Sequence, residues 1–190
     1  MYHITNIEEL LAYTNTGKSV EYLFFWGHHQ KKDGRISKSC LSNWYPAEFA
    51  VDHVVYATTE HYMMAHKAKL FGDTTMYQAI LHAKTPKEAK ALGRRVTGFT
   101  NEVWNTHRID IVTAGNEAKF SQHEQLKQFL LSTGDAVLVE ASPYDKIWGI
   151  GMAGDNPNVT NPENWKGLNL LGFALMEVRN RLHAREEQTT

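Results

Sequence analysis

A carboxylate and an amine, Glu60 and Lys67, lie within the stretch Thr58-Thr59-Glu60-His61-Tyr62-Met63-Met64-Ala65-His66-Lys67-Ala68-Lys69-Leu70-Phe71-Gly72. On a helix they share one face, two turns and roughly 10 Å apart along the axis. That is beyond the reach of an i, i+4 ion pair and suits two groups that grip a small polar molecule between them. Two plainer readings fit as well. A first-turn carboxylate is favoured by the helix dipole alone, and a lysine stem can carry its amine to water. Further along stand Arg94 and Arg95 beside Gly93, a phosphate grip or a favourable helix C-terminus, and the carboxylate Asp145 in a loop with Trp148. Carboxylates, an amine, an Arg pair and aromatic loops together suit chemistry at a sugar anomeric carbon. There, carboxylates stabilise an oxocarbenium-like transition state or activate water, rings stack on a base, and Arg holds phosphate. The same set, without the base, suits a module that only binds a nucleotide-like ligand.

The elements that must place these groups can be read from pattern. Residues 58–72 predict a helix, with Thr58 or Thr59 as N-cap, Gly72 as terminator, and no Pro, Gly or β-branched residue from Glu60 to Phe71. Glu60, Met63, Met64, Lys67, Leu70 and Phe71 form its expected stripe. Upstream, residues 20–26 read as a strand that is apolar on both faces, and residues 28–39 as an exposed basic loop with Lys31, Lys32 and Lys38. Leu41-Ser42-Asn43-Trp44-Tyr45-Pro46 reads as an ordered loop. Residues 47–51 and 54–56 form a hairpin around Asp52-His53 that leads into the helix. Downstream, Asp73 caps a helix through His82, and Thr85-Pro86-Lys87-Glu88 is a capping box. Asn101 is expected to cap a third helix and Ser121-Gln122-His123-Glu124 to open a fourth that stops at Gly134. Residues 136–141 read as a strand, 142–167 as a long functional loop, and 168–182 as an amphipathic helix. Residues 1–19 form an amino-terminal extension with one or two helical turns, and residues 184–190 a frayed tail.

The chain has 190 residues, enough for a core and expected to form one domain. A net charge of −1 argues against a general grip on nucleic acid, while leaving room for a local basic pocket. The single cysteine, Cys40, excludes a disulfide framework and most zinc ribbons. With no signal peptide and no long apolar run, the expected compartment is cytoplasmic and no membrane partner is expected. There is no P-loop, GxGxxG, HExxH or nucleophile elbow. His61 and His66 fall on different helix faces and make a poor metal pair.

Several ordered motifs carry a family resemblance. Leu41-Ser42-Asn43-Trp44-Tyr45-Pro46 comes first, followed by Thr59-Glu60-His61-Tyr62-Met63-Met64-Ala65 with Lys67-Ala68. Then come Leu92-Gly93-Arg94, Trp104, Arg108 and Lys119-Phe120. The last are Leu138-Val139-Glu140-Ala141-Ser142-Pro143 with Asp145 and Trp148-Gly149-Ile150-Gly151, and Asn169-Leu170-Leu171-Gly172. In this order they resemble the YbiA-like family, also called the NADAR domain, over about residues 20–183.

The resemblance implies a helix-rich α+β fold, a single domain with a small antiparallel sheet packed on a helical array, and N-glycosidase activity. It implies two substrate classes: phosphorylated ribosylamino-pyrimidine intermediates of riboflavin synthesis, and ADP-ribose attached to guanine in nucleic acid. Carried over, Glu60 acts as general base for water or as stabiliser of positive charge at C1′. Lys67 holds a phosphate or attacks C1′ to form a Schiff base. Asp145 orients sugar hydroxyls or supplies the second carboxylate. Trp44 and Trp148 stack on the heterocycle, Asn43 and Asn169 hydrogen-bond it, and Arg94 takes phosphate. Tyr62 and Gly149 join the expected substrate-binding set, while Trp104 and Arg108 fit a structural role equally well. No metal or organic cofactor is required.

Overall fold

The computed structural model describes residues 4–189. Residues 1–3 of the expected extension and Thr190 of the expected tail lie outside the described residues. The architecture is α+β and helix-rich, with seven α-helices and two two-stranded sheets among the described residues. The chain divides into two compact units. One is Asn43–Glu124, and the other combines the chain up to Ser42 with the chain from Gln125 onward.

The Asn43–Glu124 unit opens with the hairpin β2 (Phe49–Val51) and β3 (Val54–Tyr56), paired antiparallel with Val51 opposite Val54. Asp52 and His53, at φ 50° and 65°, make the tight turn, which short polar side chains tolerate in the left-handed region. The chain then enters α2 (Thr59–Leu70), capped by Thr58, whose hydroxyl accepts from the His61 amide. Gly72, at φ 72°, ends it as expected. The expected apolar stripe understates the burial of this helix. All residues from Thr59 to Ala65 are buried, because α3 (Thr74–Leu81), α4 (Pro86–Gly93) and α5 (Asn101–Gln122) all pack on α2. Asp73 and Thr85 cap α3 and α4 as the sequence indicates.

Two expected caps are displaced. Thr100, not Asn101, caps α5, its hydroxyl accepting from the Val103 amide. Ser121 opens no helix: it lies inside α5 and its hydroxyl donates to the Ala118 carbonyl. The chain breaks at His123, where contacts to β2 and the residue before it win. Gln122 exchanges two hydrogen bonds with the Ala50 backbone, and His123 Nε2 donates to the Glu48 carbonyl at 2.7 Å.

In the other unit, β1 (Tyr22–Phe25) pairs parallel with β4 (Val137–Glu140), and α7 (Leu170–Thr189) packs on β4. The small antiparallel sheet is thus β2–β3, joined in the fold by a separate parallel pair. Here α1 (Ile7–Thr14) contacts the 3-10 turn Pro162–Asn164, and α6 (Glu124–Ser132) precedes β4. Helix α7 continues to Thr189, with Glu186 paired to Lys127 of α6 at 2.6 Å.

Candidate active site

The first turn of α2 carries the buried carboxylate. Glu60 is 3% exposed, and its amide donates to the Asn43 carbonyl at 2.9 Å. The Asn43 side chain is tied in turn to α5, where Asn116 Nδ2 donates to Asn43 Oδ1 at 3.0 Å. Asn116 Oδ1 and Thr59 Oγ1 are both buried without a hydrogen-bond partner, a costly arrangement that recurs where proteins meet ligands or solvent. His61 anchors the same turn. Its Nε2 faces the Ala83 carbonyl at 3.0 Å, an acceptor only, so Nε2 carries the proton and Nδ1 accepts from the Thr58 hydroxyl at 2.8 Å. Burial holds its pKa below the ordinary histidine range.

Two turns along α2, the environment becomes cationic and aromatic. Half-buried Lys67 donates to the Gly93 carbonyl at 2.8 Å, with its Nζ 4.1 Å from the Phe99 ring centroid and 5.7 Å from that of Trp104. Burial, and then the Arg94 guanidinium, push its pKa below the usual lysine value. Gly93 lets α4 pack closely on α2, since a Cβ there would collide with the Met64 side chain. Arg94 is the exposed C-cap of α4. Arg108, one turn beyond Trp104 on α5, is half-buried with Nε unpartnered, and burial lowers its pKa. Trp44 is half-buried, with Lys90 Nζ 5.9 Å from its ring centroid.

Two expected substrate contacts have other occupations. Tyr62, 4% exposed, is packed among Phe49, Tyr56 and His66, stacked on the last at 4.0 Å; it is core. Asn169, fully buried at φ 53°, spends its amide on β4: Oδ1 accepts from the Glu140 amide and Nδ2 donates to the Leu138 carbonyl, both at 2.9 Å. It clamps strand to helix, leaving no exposed surface for a ligand.

Asp145, Trp148, Gly149 and Asn169 lie in the unit that contains β4, and Asn43, Trp44, Glu60, Lys67 and Arg94 in the unit that contains α2. In its loop, Asp145 Oδ1 accepts from the amides of Ile147 and Trp148 at 2.9 and 2.8 Å. Gly149 is buried where a Cβ would sit 2.8 Å from the Glu140 carbonyl, so its smallness serves strand–loop packing. Trp148 is half-buried. Asn116 and fully buried Lys119 were not singled out as site residues from sequence, although their i, i+3 spacing on the apolar side of a helix was there to be noticed.

Residues 24–183 match the NADAR domain family. An N-glycosidase of Acanthamoeba polyphaga mimivirus is 44% identical over 165 residues, covering 84% of this chain and 95% of that protein. Cyanobacterial and Shigella relatives carry the same N-glycosidase designation. The chloroplastic riboflavin biosynthesis protein PYRR of Zea mays is 38% identical over 138 residues, 69% of this chain and 20% of the longer plant protein. The NMR structure of Escherichia coli YbiA superimposes with a TM-score of 0.71 at 27% identity, covering 89% of each chain. Among the described residues, no helix is long and apolar enough to cross a membrane.

Proposed function

The chain belongs to the NADAR domain family and is an enzyme of the N-glycosidase class; from that premise we propose that it hydrolyses the C1′–N bond of phosphorylated ribosylamino-pyrimidines. The observation that carries this reading is the polarity of α2, with a buried carboxylate at its start and an amine with a lowered pKa two turns on, beside Arg94. Glu60 activates water or stabilises positive charge at C1′. Lys67 and Arg94, with Arg108 on α5, take the phosphate, and Trp44 and Asn43 meet the heterocycle. The riboflavin-related name of the maize relative supports this choice of substrate. The alternative role of Lys67 is attack on C1′ of the ring-opened ribosylamine, releasing the base amine and leaving a lysine Schiff base for water to hydrolyse.

A second substrate, ADP-ribose on guanine in nucleic acid, is favoured by a different surface. Trp26 and Tyr144 are 56% and 85% exposed with ring centroids 6.1 Å apart, and the exposed Lys31, Lys32 and Lys38 belong to the same unit. The test is a paired turnover assay. Purified protein is given the ribosylamino-pyrimidine phosphate or an oligonucleotide carrying ADP-ribosyl-guanine, with mass detection of free base and sugar, and borohydride trapping of any lysine adduct. Release from the small molecule alone supports the first substrate, and release from the oligonucleotide alone the second. Tight binding with no release from either would replace the enzyme reading with a binding module.

A further inference from the structure

Lys119 is 0% exposed, the most deeply buried cation among the described residues. A lysine stripped of water is costly unless an anion answers it. Its Nζ lies 4.9 Å from the Phe120 ring centroid and 5.6 Å from that of Tyr45, but ring faces attract a cation without neutralising it. Within the Asn43–Glu124 unit, the other charged residue described as buried is Glu60.

The backbone leads from one to the other. Asn116 and Lys119 stand one turn apart on the same side of α5. Asn116 grips the Asn43 side chain, and the Asn43 carbonyl accepts from the Glu60 amide. Tyr45, whose ring faces Lys119, is two residues beyond Asn43. The face of α5 that carries Lys119 therefore holds the turn that fixes the start of α2. We propose that Lys119 is a positioning residue, whose buried ammonium balances the Glu60 carboxylate and holds it ionised and aimed for reaction. The inference rests on the reading above only in taking Glu60 as the reacting carboxylate.

A double-mutant cycle tests it, using Lys119→Met, Glu60→Gln and the two together, with thermal unfolding and steady-state turnover on the ribosylamino-pyrimidine phosphate and the ADP-ribosyl-guanine oligonucleotide as separate readouts. Removing one partner of a buried pair leaves the other charge unanswered, so Lys119→Met should lower the unfolding midpoint in the native background. It should lower it far less, or raise it, in the Glu60→Gln background. Turnover by Lys119→Met should fall about tenfold to a hundredfold with KM changed less than about threefold, with no further fall in the Glu60→Gln background. Lys119→Arg should recover part of the loss in kcat. If Lys119→Met alone fails to fold and the double variant folds, the proposal stands. Equal midpoint losses in both backgrounds, or failure of both when Glu60→Gln folds, would overturn it. A native protein that turns over neither substrate sinks the glycosidase reading, while the unfolding cycle still decides whether Lys119 and Glu60 are coupled.

Discussion

Glu60 and Asp145 are both carboxylates that sequence reasoning assigns to the chemistry, yet the two regions use them differently. Asp145 is half-buried in a loop and accepts two amides from the residues just after it. Such local bonds set the path of the chain. Glu60 is buried in the first turn of a helix whose backbone is fixed by Thr58, His61 and Asn43. A group held by a rigid element is preorganised for reaction, whereas one whose oxygen fastens its own loop is first a scaffold. The difference lies in burial and in what holds each residue's backbone, which residue type alone does not reveal.

The largest effect should come from Glu60→Gln. Turnover should fall by about a thousandfold, the scale associated with losing a central acid–base or charge-stabilising group, while ligand affinity is largely kept. Progress curves and equilibrium binding on the same preparation check this, and retained turnover would remove Glu60 from the centre of the site. Lys67→Met should follow, with a loss of about tenfold to a hundredfold. Its pH dependence separates the two roles. The amine titrates below the usual lysine value, so a phosphate-holding cation is lost as pH rises through that lowered pKa, and KM should climb. A nucleophilic amine is gained over the same interval, and kcat should climb instead.

The local fold was legible because it is written in short-range chemistry. The Asp52-His53 turn, the Thr58, Asp73 and Thr85 caps and the Gly72 stop all act through neighbours in sequence. What escaped the sequence depends on distant partners. Gln122 bonds to Ala50 of β2 and His123 to Glu48 just before it, and these contacts override the apparent capping box at Ser121. Tyr62 sits in a motif dense with polar residues, but the hairpin rings and His66 close around it. Asn169 reads as a recognition amide until the adjacent strand claims both ends of it. Lys119 was hidden in the opposite sense, since lysine in a long helix is ordinarily a solvated face.

Asp145 sharpens the comparison with Glu60 because two substitutions divide scaffold from chemistry. Asparagine keeps the Oδ1 acceptor that Ile147 and Trp148 use, and alanine does not. Asp145→Ala should cost about 1–2 kcal/mol of stability, the range for losing an acceptor that serves amides. Asp145→Asn should stay within about 0.5 kcal/mol of the native protein and within about threefold of its turnover. Urea unfolding and initial rates give both quantities. Native stability with abolished turnover in Asp145→Asn would break the distinction and make Asp145 a second reacting carboxylate.

The smallest expected effect concerns the scaffold beneath Glu60. His61 and His66 are both held below the ordinary histidine pKa, chiefly by burial. Between the lowered pKa and the unfolded value of about 6.5, the unfolded chain binds more protons than the folded one. Stability is therefore full above that value and falls as pH drops through the window, by no more than about 1.4 kcal/mol per pH unit for each group. Protonating His61 would also place a hydrogen on Nδ1, the atom that now accepts from the Thr58 hydroxyl, and so loosen the cap of α2. Urea titrations at pH 7.5 and 5.5 should show this loss in the native protein and a smaller one in His61→Gln. An equal loss in both would assign the pH dependence to His66 or to groups elsewhere, and would separate the start of α2 from the acid response of the fold.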